Sequence, residues 1–311
     1  MSLNDKIKGK NPLQLYLGVV PGTFPWLEEP LIKEKMKKNH IGIIFSYWSF
    51  RKKQSQIISK GIHDFFSFDG PIMIDSGAYS AFNSNIKIQI DEYSNFILKI
   101  KDSFRNNNTI VNLDVIGDFY NSLKNFKTLQ ERIDYPILPV IHYPEKRIQE
   151  LSEKYIGIGG MVPSLKINQK GSVYNIASWI SKLITSKEIK FHGFGIGSPL
   201  HQIAFNFLYS VDWIGWRRNA AFCSCYTPEG SIYIHEARKK KKKGRKLTSH
   251  MFERYTPPFI ESYEQLYEPG TKGWLNRALW NVWWFFIASE NQKQIECNKY
   301  VKNLQKRITQ A

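Results

Sequence analysis

"PIMIDSGAYSAF", residues 71–82, drives three apolar side chains into an aspartate, Asp75, and then turns through Ser76 and Gly77. An aspartate in that place either caps the following helix or stands at the mouth of a barrel, where strands deliver reactive groups at their C-terminal ends. One occurrence does not separate the two readings, but the pattern repeats. Short β-rich apolar runs recur as "LQLYLGVV" (13–20), "IGIIFSY" (41–47), "TIVNLD" (109–114) and "YPILPVIH" (135–142), then "YIGIGG" (155–160), "IKFHGFGIG" (189–197) and "VDWIG" (211–215). Segments with helical spacing lie between most of them, such as "IDEYSNFILKIKDSF" (90–104) and "SVYNIASWISKLITSK" (172–187). Near-continuous apolar strands alternating with helices predict a parallel sheet covered on both faces. Eight such units in roughly 200–250 residues predict an α/β fold, a closed (β/α)8 TIM-type barrel. An open doubly wound sheet competes, but no G-x-G-x-x-G opens a helix after the first strand.

The chain has 311 residues, 42% of them hydrophobic and 14% aromatic, which supports a sizeable core and excludes global disorder. A single domain over 1–311 is expected, with a basic loop at 237–247 and aromatic-rich C-terminal helices from about 259. Lys and Arg number 44 against 27 Asp and Glu, a net charge of +17 that favours a polyanionic partner. Lysine richness from an AT-rich genome is the competing explanation. Three cysteines, Cys223, Cys225 and Cys297, make no disulfide framework and suit a reducing cytoplasm. The polar start "MSLNDKIKGKNP" shows no targeting signal. The longest apolar run, "ALWNVWWFFIA" (278–288), is interrupted by Asn281 and is short of the ~20 residues of a spanning helix. It reads as a buried or docking helix, and no membrane partner is expected.

The strand ends carry the chemistry. In order they present Gly18, Ser46 with Tyr47, Asp75, Asp114, His142, Gly159 with Gly160, Gly195 with Gly197, and Asp212. Each alone is a common cap or turn residue. Three aspartates at three strand ends are costly to bury unless paired or used. His142 is read either as a core histidine or one supporting another site residue, or as a substrate contact. After Asp212 come Arg217 and Arg218, which grip phosphates or pair with a helix carboxylate. The tract "RKKKKKGRK" (238–246), with Lys240, Lys242 and Arg245, is a solvated loop, a phosphate-contacting loop, or both. Cys223-Ser-Cys225 has only His235, His250 and Cys297 as further ligand candidates, at no standard zinc spacing, so no metal is expected.

Taken in order, these segments resemble the tRNA-guanine transglycosylase superfamily. "IDSGAYSAF" resembles its D-S-G-[GAS]-[FY] segment, and "VNLDVIGD" the next strand with a second aspartate. "PVIHYP" stands where the family has "VQGG", so His142 replaces a glutamine. "IGIGGMVPS" resembles "IGGLxVGE", "FHGFGIGSP" resembles "YLMGVGTP", and "YSVDWIGWRRNAAF" falls at the strand of the nucleophilic aspartate. The resemblance spans roughly residues 14–222. The C-x-C-x-x-C zinc pattern of the tRNA enzymes is broken, because position 228 is proline. The short, lysine-rich form looks more like the DpdA-type DNA 7-deazaguanine transglycosylases of phages and bacteria.

The resemblance implies exchange of guanine in DNA for a 7-deazaguanine base, such as 7-cyano-7-deazaguanine, without a cofactor. Asp212 is then the nucleophile; the tRNA enzymes' second acid, a few residues on, has no counterpart in "VDWIGW". Asp75 shuttles the proton. Asp114 reads the purine edge, with Ser76, Gly77, His142, Gly159, Gly160 and Met161 around the base. Tyr79 or Phe82 either stacks on a base or sits in the core. Three alternatives stand beside this reading: a tRNA-guanine transglycosylase, a non-catalytic nucleic-acid-binding barrel serving as accessory subunit, and an unrelated barrel enzyme. An accessory subunit needs neither Asp75 nor Asp212. An aldolase would want a strand-end lysine, and none of the strand ends has one.

Overall fold

A computed structural model describes residues 13–161, 172–184, 189–234 and 245–296, with isolated positions at 302, 303 and 306. Nine parallel strands form one sheet: β1 (Gln14–Gly18), β2 (Gly42–Ser46), β3 (Ile72–Asp75), β4 (Thr109–Val111), β5 (Ile137–Leu138), β6 (Val140–His142), β7 (Tyr155–Gly159), β8 (Lys190–Gly193) and β9 (Ser210–Trp213). Their order is β5-β4-β3-β2-β1-β9-β8-β7-β6. β5 and β6 are two halves of one extended run, parted by Pro139, which has no N–H to give to a ladder. The first half pairs with β4, Leu138 opposite Val111, and the second with β7, Val140 opposite Gly157. The Gly157 N–H donates to the Pro139 carbonyl at 2.8 Å, so the run joins both edges of the sheet. Eight strand runs therefore close into the expected α/β barrel of TIM type.

The pleat sorts each run into two faces. Leu15, Leu17, Ile43, Phe45, Ile72, Ile74, Ile156, Ile158 and Val211 point outward into one large core shared with the helices. Tyr16, Ile44, Met73, Val111, Leu138 and Val140 form a separate cluster inside the barrel, with Tyr155 and Phe194 against it. That double burial is why the strands read as continuous apolar runs rather than alternating ones. The inward parity continues to the C-terminal ends. Ser46 lies opposite Asp75, His142 opposite Gly159, His192 opposite Ser210, and Tyr16 opposite Asp212.

Past β9 the chain makes a short helix (Gly215–Ala221) and a hairpin, β10 (Ser224–Thr227) with β11 (Gly230–Tyr233). A helix at Ser249–Tyr255 precedes the boundary expected near 259, and residues 259–270 are mostly irregular around a short 3-10 turn. The long helix Thr271–Ile287 carries the aromatic run and packs on the Gly215–Ala221 helix, β10 and the helix Pro30–Lys38. The interrupting Asn281 is fully buried and is a junction. Its Oδ1 accepts from the Tyr226 N–H at 2.7 Å, and its Nδ2 donates to Ser224 O at 3.1 Å and Trp216 O at 3.3 Å. Among the described residues no helix is long and apolar enough to cross a membrane. The expected basic loop lies, over residues 237–244, outside the described residues.

Candidate active site

Asp75 ends β3, and the backbone turns at once. Gly77 has φ +81°, and a Cβ there would lie 2.2 Å from Ser46 Oγ and 2.7 Å from Trp48 Cβ. Glycine is thus required both for the left-handed conformation and for the space. The Gly77 N–H donates to Asp75 Oδ2 at 3.1 Å. The helix Ala78–Asn83 that follows has Gly77 as its N-cap residue and no side-chain cap, so Asp75 is not a helix cap. Ser76 is fully buried and accepts the Ala78 N–H at 3.3 Å. Burial pushes the Asp75 carboxyl up to about 8, and the neighbouring charges of Asp114 and Asp212 push in the same direction against the Gly77 and Ser76 amides. The fold therefore brings the three strand-end aspartates within electrostatic reach of one another. It leaves Asp75 holding a proton at neutral pH.

Asp114 lies three residues beyond β4, in the turn before the helix Phe119–Arg132. Its Oδ2 accepts from His142 Nε2 at 2.8 Å. His142 is thus a partner of Asp114 rather than an apolar-core histidine. Gly159 makes room for it: a Cβ would lie 2.7 Å from the His142 ring. Gly160 has φ +75°. Met161 is fully buried in the outer core, so its side chain offers no surface to a ligand.

Asp212 is 7% exposed and sits inside β9 rather than at its tip. Its Oδ1 accepts the Gly195 N–H at 2.8 Å and faces His192 Nε2 at 3.3 Å. His192 Nδ1 lies 2.8 Å from Ser210 Oγ, which lies 2.7 Å from the Tyr155 hydroxyl. Sequence reading missed His192, Ser210 and Tyr155. The available signal was parity, because residues 192, 210 and 212 share the inward face once β8 and β9 are paired in register.

No protein-family model matches the chain. It is 29% identical over 215 residues to the tRNA-guanine(15) transglycosylase of Nanoarchaeum equitans (strain Kin4-M), covering 63% of this chain and 50% of that protein. The resemblance to the tRNA-guanine transglycosylase superfamily is borne out. The chain spans about half the length of the curated relative it matches. The cysteines do not reproduce the zinc pattern of the superfamily's tRNA enzymes. Position 228 is proline, and among the described residues no three His, Cys, Asp or Glu side chains gather as a metal site. Cys225 is buried, which pushes its thiol up.

Around the three aspartates the loops after the strands carry cations and aromatics. Arg217 and Arg218 are exposed on the Gly215–Ala221 helix, which contains no acid, and neither makes an ion pair among the described residues. Arg218 lies over the exposed Phe222 ring at 5.5 Å. Tyr79 and Phe82 are 56% and 57% exposed, one turn apart on the helix that follows Asp75, and are not core residues. Arg51 stacks on Trp48 at 4.1 Å, and Arg147 lies 4.5 Å from both Phe119 and Tyr120. A cavity of about 470 Å³ beside His142 is lined by Phe119, Tyr143, Glu145 and Arg147 among others. Arg245, the described member of the basic tract's three expected phosphate contacts, is exposed and ion-paired with Glu229. Lys240 and Lys242 lie outside the described residues.

Proposed function

We propose that the chain is a guanine transglycosylase that exchanges a guanine of nucleic acid for a 7-deazaguanine base, with DNA as the substrate. The observation that supports this most directly is the placement of two aspartates at one barrel mouth, Asp75 with its carboxyl raised by burial and Asp212 anchored through Oδ1 by the Gly195 N–H. Two carboxyl groups in unlike environments suit displacement at an anomeric carbon with retention.

In the forward half, Asp212 forms a bond to C1′ of the sugar as the C1′–N9 bond breaks. The electron pair leaves with guanine, which takes the proton of Asp75. In the second half, Asp75, now ionised, removes a proton from the incoming base. The base nitrogen bonds to C1′, and Asp212 departs as carboxylate. Asp114, held by His142, accepts from the purine N–H groups. The exposed Tyr79, Phe82 and Phe222 with Arg217 and Arg218 supply stacking and phosphate contacts for the strand around an extruded base.

DNA is favoured by the broken zinc pattern at position 228 and the likeness to the DNA-modifying branch. A tRNA substrate is the second reading, favoured by the name of the Nanoarchaeum relative. Incubation with duplex DNA, single-stranded DNA and tRNA, each with 7-cyano-7-deazaguanine, followed by digestion and nucleoside mass analysis, separates them. Modified deoxynucleoside is the expected product. Modified ribonucleoside alone would transfer the chain to the tRNA reading. No product on any polymer would remove the transglycosylase reading.

A further inference from the structure

We propose that Tyr155, Ser210 and His192 form a buried positioning relay that anchors one oxygen of Asp212 and leaves the other to attack. The proposal rests on Asp212 being the nucleophile, as read above. The relay runs through the inside of the barrel, below the three aspartates, where no substrate atom needs to reach.

Its direction follows from what each group can donate. A carboxylate only accepts, and Oδ1 of Asp212 faces two groups, the Gly195 amide and His192 Nε2. Nε2 must then carry the ring proton. That leaves Nδ1 as an acceptor, and among the described residues its hydrogen-bond partner is Ser210 Oγ at 2.8 Å, which donates to it. The serine oxygen in turn accepts from the Tyr155 hydroxyl at 2.7 Å. Burial, with the charges of Tyr16, Tyr209 and Asp212 adding to it, holds the Tyr155 hydroxyl well above the ordinary tyrosine range, so it remains a donor. Every hydrogen bond in the chain therefore points toward Asp212.

The ring is fixed by packing as well. His192 is fully buried, edge-on to Phe194 at 4.5 Å and to Tyr16 at 5.9 Å. Both anchors fall on Oδ1, and no described residue donates to Oδ2 in the structure. An aspartate held by one oxygen cannot rotate freely, and its second oxygen keeps its lone pairs for the sugar. Orientation of this kind is worth much in rate, because small misplacements of a reacting atom are costly. His192 touches no reacting atom, so it is a positioning residue.

The test is formation of the covalent protein–sugar adduct without an incoming base, followed by intact mass after denaturing quench, over a range of nucleic-acid concentrations. His192→Phe keeps the packed ring and removes both nitrogens, whereas His192→Gln restores an amide donor toward Asp212. His192→Phe is expected to slow adduct formation about 10²-fold, with half-saturation within about threefold of wild type. His192→Gln is expected to recover at least about tenfold of that loss. A wild-type rate in His192→Phe would overturn the relay, as would equal rates in the Phe and Gln variants or a loss confined to half-saturation. Should His192→Phe not fold by circular dichroism, Ser210→Ala carries the test. It is expected to slow the adduct several-fold, and an unchanged rate would overturn the relay. Absence of adduct from the wild-type protein on both DNA and tRNA refutes the nucleophile reading itself, before any variant is compared.

Discussion

At the scale of residues, the proposed chemistry rests on Asp75, whose carboxyl burial raises, and on Asp212, anchored at one oxygen. Between pH 3.8 and about 8, folded Asp75 keeps a proton that the unfolded chain has lost. Stability attributable to this group therefore falls as pH rises through that window and is lowest above it. Asp75→Asn, which cannot ionise, is expected to raise the melting temperature at pH 8.5 by more than at pH 5, by scanning calorimetry. In the proposed reaction the same proton serves departure of guanine. Release of labelled guanine in a single turnover is expected to decline above about pH 8 in the wild type, as the acid form is lost. A release rate flat from pH 6 to 10 would contradict Asp75 as the acid. Asp212→Asn is expected to lower exchange by about 10⁴-fold or more, since it removes the group that bonds to the sugar. Of these residues, Asp75, Asp114 and Asp212 were legible in the sequence because a carboxylate breaks an apolar run conspicuously. His192 was not, because a histidine among "IKFHGFGIG" has no local mark. Its role depends on a register with β9 that only the closed sheet sets.

At the scale of elements, turns and junctions hold the site in place. Gly77 has a positive φ and no room for a Cβ, so Gly77→Ala is expected to destabilise by about 1–3 kcal/mol and to displace Asp75. Denaturant unfolding, together with a drop in guanine release, reads both effects. Asn281 satisfies three backbone groups of the Gly215–Ala221 helix and β10 from within the long aromatic helix. Asn281→Leu strands those groups in the core and is expected to cost about 2–5 kcal/mol. A variant as stable as wild type would show that the junction contributes nothing. The eight strand runs were legible because burial on both faces makes them continuously apolar. The β10–β11 hairpin was not, since "SCYTPEGSIY" has only one turn signal and little alternation. Sequence leaves Tyr79 and Phe82 open between stacking and core, because aromatic residues at helical spacing look alike whether they face a core or a ligand.

At the scale of the whole molecule, a net charge of +17 and a rim of arginines and exposed aromatics around the barrel mouth suit a polyanion. Nucleic-acid affinity is expected to fall linearly with log salt. Arg217→Ala and Arg218→Ala are each expected to reduce that slope by about 1, with little effect on the choice of base. An unchanged slope in the double variant would remove these arginines from the interface. Charge was legible in composition, but its placement was not: Arg245 is exposed and ion-paired with Glu229, whereas Arg217 and Arg218 are exposed with no ion pair among the described residues. All of this converges on one covalent event. The decisive measurement is to trap the protein on guanine-containing DNA without an incoming base, digest it with protease, and map the sugar-bearing peptide by tandem mass spectrometry. Deoxyribose on Asp212 is the expected result. Deoxyribose on Asp75, or nucleic acid cleaved or exchanged with no adduct on any residue, would contradict base exchange through Asp212.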